Sequence, residues 1–284
     1  SAVAAFVGDI ESLKYLHDHG AEWNSDACAK AAKAGHLECL KYLHENGCRW
    51  DHHSLVNAAS KGHLPCIVYA HQQGLEWSVK VCTSAAANGH LHCLEYARDH
   101  GCPWDRHTLI EAARNGHLSC MKYAREQALV WHTAVASAAA SSGQYSCLQY
   151  AHENGCPWNE QVTLEAADGR VDCLRYALQH NCPVSDLATT VAARGHVQCL
   201  QLLSKYDAEW SVRATATAAE GGHLECLQFL HEHGCPWDNT TTTTAASSGH
   251  LTCLRYATEM GCACTTDAVV QAATFGHGNC VRFL

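Results

Sequence analysis

Along the chain, apolar side chains return every three or four residues for about nine positions, stop at a glycine, and begin again. After Gly35, Leu37, Leu40 and Leu43 with Cys39 and Tyr42 fall on one face of a helix that closes at Gly47. Ahead of each such stretch lies a second pattern, small rather than apolar: paired alanines, as in Ala58-Ala59, Ala112-Ala113 and Ala245-Ala246, stand just before a glycine. Small side chains at a fixed position let neighbouring helices approach closely. Each unit therefore predicts two short helices, an Ala-rich helix A and an apolar helix B, joined at a glycine that can adopt the left-handed backbone ending a helix.

The unit repeats. Its glycine recurs at positions 8, 35, 62, 89, 116, 143, 169, 195, 222, 249 and 276, with steps of 27 residues except the two steps ending at Gly169 and Gly195, which are 26. One residue is missing just before each of those two glycines. The residue that opens helix A is Asn24, Asp51, Ser78, Asp105, His132, Asn159, Ser185, Ser211, Asp238 or Thr265. All but His132 are types that cap a helix N-terminus. Between helix B and the next helix A, Cys-Pro-Trp predicts an extended link, because the residue before proline avoids the helical region. Helices this short are marginal alone and must bury their faces against neighbouring units. The fold class that follows is all-α, a helix-turn-helix repeat solenoid running through residues 1–284 as a single array of about ten repeats, the last frame, at Gly276, partial. The chain opens on the tail of a helix A, Ser1–Phe6, and stops at Phe283-Leu284 within a helix B. Truncation at both ends is therefore expected.

The run AAxxGHLECLKYLHENGC resembles the core of the ankyrin repeat, which carries a double Ala, Gly-His, an aliphatic helix and a closing Gly-Ala. The resemblance covers essentially the whole chain and keeps its register in every unit. Two departures stand out: the family's Thr-Pro-Leu-His opening is missing, and the unit is shorter than the family's roughly 33 residues. They imply shortened or absent β-hairpins. The short, Cys-rich, Gly-Cys-Pro-Trp units look most like ankyrin repeats abundant in amoebae, oomycetes and large DNA viruses. The resemblance implies protein recognition rather than catalysis, with the exposed start of helix A and its preceding link lining a concave binding face.

Composition narrows the chemistry. Nineteen Lys and Arg against 28 Asp and Glu leave a net charge of −9, which argues against bulk nucleic-acid binding. No run of about eighteen apolar residues suits a membrane, and the first residues lack the charged start and cleavage site of a signal peptide. Eight Trp sit in the link; burying roughly 150–250 Å² each would contribute up to about 4–6 kcal/mol apiece, a structural role.

Of the 19 Cys, ten share the Cys39 column and six the Cys48 column, leaving Cys28, Cys82 and Cys264. They read as small buried hydrophobes. With Cys39 and Cys48 taken as lying on one helix, nine residues span roughly 13 Å, beyond the reach of a disulfide. A reducing compartment, cytoplasm or nucleus, is expected. His36, Cys39, His44 and Cys48 have zinc-ligand types, yet only the Gly35 and Gly222 frames keep all four, the latter as His223, Cys226, His231 and Cys235. No metal and no cofactor is expected. Cys–His neighbours recur in almost every unit, whereas an active site needs one asymmetric constellation, so the chain is read as no enzyme. The His after the repeat glycine, at 36, 63, 90, 117, 196, 223, 250 and 277, is expected to bond between turns and, through the 22 His of the chain, to make stability sensitive to acid.

Function in a repeat array is expected where units differ. The candidate partner-binding residues are His52, His53, Lys80, Arg106, His107, Glu160, Gln161, Arg170, Arg194, Arg213 and Asn239. Arg170, Arg175, Arg194, Lys205 and Arg213 fall in the least regular units and suggest a basic patch for an acidic partner segment. An acidic row, from Asp18 and Glu45 to Glu259, reads as a solvated face. The chain thus reads as a non-enzymatic protein-interaction scaffold for a protein partner of unknown identity, part of a larger assembly where further domains exist. Two alternatives stay open: the targeting arm of a larger effector such as a ubiquitin-ligase adaptor, and a Cys/His-rich metal or redox buffer.

Overall fold

The computed structural model describes residues 1–23 and 25–284. Within them are twenty-two helices and no strand, alternating as helix A and helix B along the chain. The chain is an all-α helix-turn-helix repeat solenoid, and the hairpins of longer units are absent from the described residues.

Helix A begins as the sequence predicts. The side chains of Asp51, Asp105 and Asp238 accept from the amides of His53, His107 and Thr240 at 2.9 Å each, and Ser78, Asn159 and Ser211 cap in the same way. Three expectations fail. The helix expected to open at Ser185 starts at Ala188 with Leu187 as its N-cap, and the Ser185 hydroxyl accepts from the Leu187 amide at 3.3 Å instead. His132, the one residue outside the usual capping types, caps through its ring, Nδ1 accepting from the Ala134 amide at 3.1 Å. Thr265, a capping type, makes no side-chain cap bond. Asn24 lies outside the described residues.

The end of helix A is set by the paired alanines and the repeat glycine. At the Gly62 turn, φ is +76°, and the His63 amide donates back to the Ala58 carbonyl at 2.9 Å. The two 26-residue units tighten this turn by one residue. Only Asp168 or Arg194 separates the alanines from the glycine, the preceding helices shorten to Glu160–Ala166 and Ala188–Ala192, and the amides of Arg170 and His196 still reach Ala166 and Ala192 at 2.9 Å. The deletion is absorbed at the turn.

Helix B ends at a second left-handed residue. In the Leu37–Glu45 helix, the Gly47 amide donates to His44 and the Cys48 amide to Leu43. Cys48 therefore stands in the link, beyond the helix, and the helical distance from Cys39 does not apply to it. The same left-handed position is filled by Ala128, Asn181 and Asp207, with φ of 62°, 56° and 53°.

Two compact units carry the repeats: residues 1–139 with 146–157, and residues 140–145 with 158–284. In the first, Leu13, Leu40, Leu43, Ile67, Leu94, Met121 and Leu148 are fully buried, between helices A whose paired alanines from Ala31-Ala32 to Ala112-Ala113 are at most 1% exposed. In the second, Leu174, Leu200, Leu203, Leu227 and Leu254 do the same. Every cysteine except Cys264 is buried, as expected of a small apolar side chain that fills gaps between short helices.

Candidate interaction surface

Each repeat spends its recurring side chains on the next one. The ring that follows the repeat glycine lies against the glycine of the unit before: a Cβ placed on Gly62 would stand 2.6 Å from His90 Nδ1, and one on Gly35 2.5 Å from His63 Nδ1. Burial holds the His90 pKa below the usual value. Burial lowers His223 in the same way. His196 Nε2 lies 3.5 Å from the Asp168 carboxylate, and the column includes one exposed candidate of the variable set. Arg170 occupies the His position, and its Nε donates to the Ser141 carbonyl at 3.0 Å while its stem lies against Gly143. Its Nε is engaged in packing.

The link tryptophans form a second set of contacts. Trp50 stacks on His44 of its own repeat, with ring centroids 4.1 Å apart, and meets Tyr69 of the next at 5.8 Å. Trp237 repeats the arrangement with His231 and Tyr256. The Trp77 and Trp131 indole N–H groups donate to the carbonyls of His100 and Asn154 at 2.9 and 2.8 Å. All eight Trp are half-buried, so each contributes less than the full burial expected from the sequence. In this ladder His44 Nδ1 and the Tyr69 hydroxyl are hydrogen-bonded at 3.1 Å, as are His17 and Tyr42. Where Arg98 replaces the His, it lies over Trp104 at 4.7 Å and donates to the Cys102 carbonyl, and the buried Tyr123 hydroxyl has no partner. His44 and His231 are thus engaged with aromatic neighbours, and no three His, Cys, Asp or Glu side chains come together as a metal set among the described residues.

With those columns committed, the varying residues stand at the start of helix A. His52, His53, Lys80, Arg106, His107, Glu160, Gln161, Arg213 and Asn239 are all exposed in the first two residues of their helices. His53 Nδ1 lies 3.1 Å from the Asp51 carboxylate, and Arg106 Nη1 lies 3.5 Å from His132 Nε2. Gln161 donates to Glu165 at 2.8 Å. A shallow cleft of about 410 Å³ separates His52 from Trp77 and Ser78 of the next link, and its counterpart of about 310 Å³ lies among Asp186, Leu187, Glu209, Trp210 and Arg213.

The five cations of the expected basic patch occupy several parts of their units. Arg170 and Arg194 stand at the turns between helices A and B, Arg175 within a helix B, Lys205 at the end of another, and Arg213 at a helix A start facing a cleft that holds Asp186 and Glu209. The acidic row is exposed, at the last residue of helix B from Asp18 and Glu45 to Glu259.

One pairing is invisible to a column-by-column reading. Cys28 and Cys48 are electrostatic neighbours, as are Cys82 and Cys102, while the Cys102 thiol donates to the carbonyls of Ser78 and Pro103 at 3.5 Å. The signal was present in the sequence: Leu55 and Leu75, then Leu109 and Leu129, occupy the same two positions in the intervening repeats. Cysteines and leucines change together.

No family model matches the chain, and no curated protein matches it. Among solved structures, the chain is similar to the human ASB11 ankyrin repeat domain, with a TM-score of 0.45 and 20% identity over 74% of this chain and 98% of that one. No helix among the described residues is long and apolar enough to cross a membrane.

Proposed function

We propose that the chain is a non-enzymatic protein-interaction scaffold that presents the starts of its helices A, with the links before them, to a protein partner. The observation that carries this reading is the division of labour within each unit. Repeated residues are buried or packed on the next repeat, whereas the first two residues of helix A differ from unit to unit and are exposed in the units that begin at His52, Arg106, Glu160, Val212 and Asn239. A rigid frame with a variable row of side chains supplies shape and charge for recognition. By the resemblance to ankyrin repeats this row faces the concave side, and His52, His53, Lys80, Arg106, His107, Glu160, Gln161, Arg213 and Asn239 form it.

The test is site-specific photo-cross-linking of the full chain in extract from its source. Cross-linkers at positions 80, 106 and 239 are compared with cross-linkers on helix B at positions 95, 122 and 228. A single stoichiometric protein captured from the helix A positions is expected. Equal or stronger capture from helix B would overturn the assignment of the face.

A further inference from the structure

We propose that the ring of Trp210 is a docking site for an arginine of the partner protein, whose guanidinium lies over the indole beside Ser204 and donates to the Ala208 carbonyl. This deepens the scaffold reading and rests on it for the source of the arginine.

The chain itself supplies the precedent. The eighth residue of helix B turns onto the tryptophan of the link that follows. Trp23, Trp50, Trp77 and Trp237 each lie against a His ring of their own repeat, at centroid distances of 4.4, 4.1, 4.6 and 4.1 Å. In two repeats the eighth residue is arginine. Arg98 lies 4.7 Å over Trp104 and Arg125 lies 4.6 Å over Trp131, and their Nη1 atoms donate to the carbonyls of Cys102 and Leu129, each four residues on. Both contacts suit a guanidinium, because its flat face is attracted to the negative face of the indole while its edge carries fixed donors.

In the Val197–Lys205 helix the eighth residue is Ser204, too short to cover a ring. The setting of the ring is retained. Trp210 meets Phe229 of the next repeat at 6.3 Å and 74°, as Trp104 meets Tyr123 at 6.2 Å and 64° and Trp131 meets Tyr150 at 6.1 Å and 66°. Trp210 is only half-buried, and among the described residues no His ring or cation of its own repeat lies over it. The Ala208 carbonyl, four residues after Ser204, accepts from no protein group among the described residues.

Charge favours a cation at this place. Ala208 is flanked by Asp207 and Glu209, both exposed, whereas Gly101 with Pro103 and Ala128 with Val130 flank the corresponding carbonyls in the two arginine repeats. Asp207 holds a left-handed backbone, with φ of 53°, at a position where glycine serves most repeats. Asp186 shares the cleft with Trp210 and Glu209, so three carboxylates stand against the two cations Lys205 and Arg213. None of the three carboxylates forms an ion pair with another described side chain.

The experiment follows the indole N–H signals of the full chain, isotope-labelled at tryptophan, by nuclear magnetic resonance during titration with N-acetyl-arginine amide. The Trp210 signal is the one missing in Trp210→Phe. A saturable shift confined to Trp210 is expected, with none from the neutral isostere N-acetyl-citrulline amide and none at Trp104 or Trp131, which Arg98 and Arg125 already cover. Ser204→Arg, which copies Arg98, should abolish the shift by covering the ring from within, and Ser204→His, which copies His44, gives the same readout should the arginine variant fail to fold. Asp207→Gly with Glu209→Gln should weaken the apparent affinity about two- to tenfold. No shift at Trp210, equal shifts across the tryptophans, or a shift that survives Ser204→Arg would overturn the proposal. The titration needs no partner protein, so its failure is distinct from a failure of the cross-linking test of the scaffold.

Discussion

Two glycines twelve residues apart separate two kinds of conformational demand. Gly62 and Gly74 both have left-handed backbones, with φ of 76° and 82°. A Cβ on Gly74 would meet nothing within 4 Å, whereas one on Gly62 would stand 2.6 Å from His90 Nδ1, 2.8 Å from Cε1 and 3.0 Å from Cγ. Gly74→Ala therefore incurs only the backbone cost, about 1–2 kcal/mol for an L-residue in this region. Reduced freedom of the unfolded chain offsets about 0.4–1 kcal/mol of it. A net loss of about 0.5–1 kcal/mol is expected. Gly62→Ala incurs the same cost and must also displace the His90 ring from its packed contact. Overpacking of this kind adds about 1–3 kcal/mol, giving a total of about 1.5–4 kcal/mol. Urea denaturation followed by circular dichroism measures both variants. The decisive comparison is Gly62→Ala in a His90→Ala background, where the ring is gone and the cost should fall to that of Gly74→Ala. Equal losses for the two single variants, or no relief from His90→Ala, would refute the claim that the ring and the glycine form one packed contact between repeats.

The mirror of Gly74→Ala is available in the same column. Ala128→Gly, at a φ of 62°, should stabilise the chain by about 0.5–1 kcal/mol in the same titration. Acid should weaken the stack: burial lowers the pKa values of His71, His90 and His223, so the unfolded chain binds protons first as the pH falls. Their contribution is complete above the unfolded value near 6.5 and is lost progressively below it, so the melting temperature should drop between pH 7.5 and 5.5. An unchanged melting temperature across that range would count against the ladder as a titrating element.

The helices were legible because their determinants are local. Leu37, Leu40 and Leu43 specify the buried face of one helix B, Asp51 and Asp105 their caps, and the deletions before Gly169 and Gly195 fall where the structure shortens the turn. The readings that changed concern residues whose partners are distant. Arg170 looked like a free cation because a charged side chain in an irregular unit has no visible partner, yet its Nε is held by a carbonyl 29 residues earlier. The five cations between positions 170 and 213 occupy two turns, the interior of one helix B, the end of another and the start of a helix A.

By itself the sequence determined the period, the alternation of two short helices and the glycines that end them. Helical periodicity, capping and left-handed turns each depend on residues within about five positions of one another. Tertiary structure decided which face of each side chain meets the next repeat. It set the His90 ring against Gly62, left the Tyr123 hydroxyl unpaired, made His132 a cap, and brought Cys28 near Cys48 and Cys82 near Cys102. The inter-repeat and cysteine pairings among these join residues 20 to 30 positions apart, and their formation depends on how closely small alanines let adjacent helices approach and which rotamer the remaining space admits.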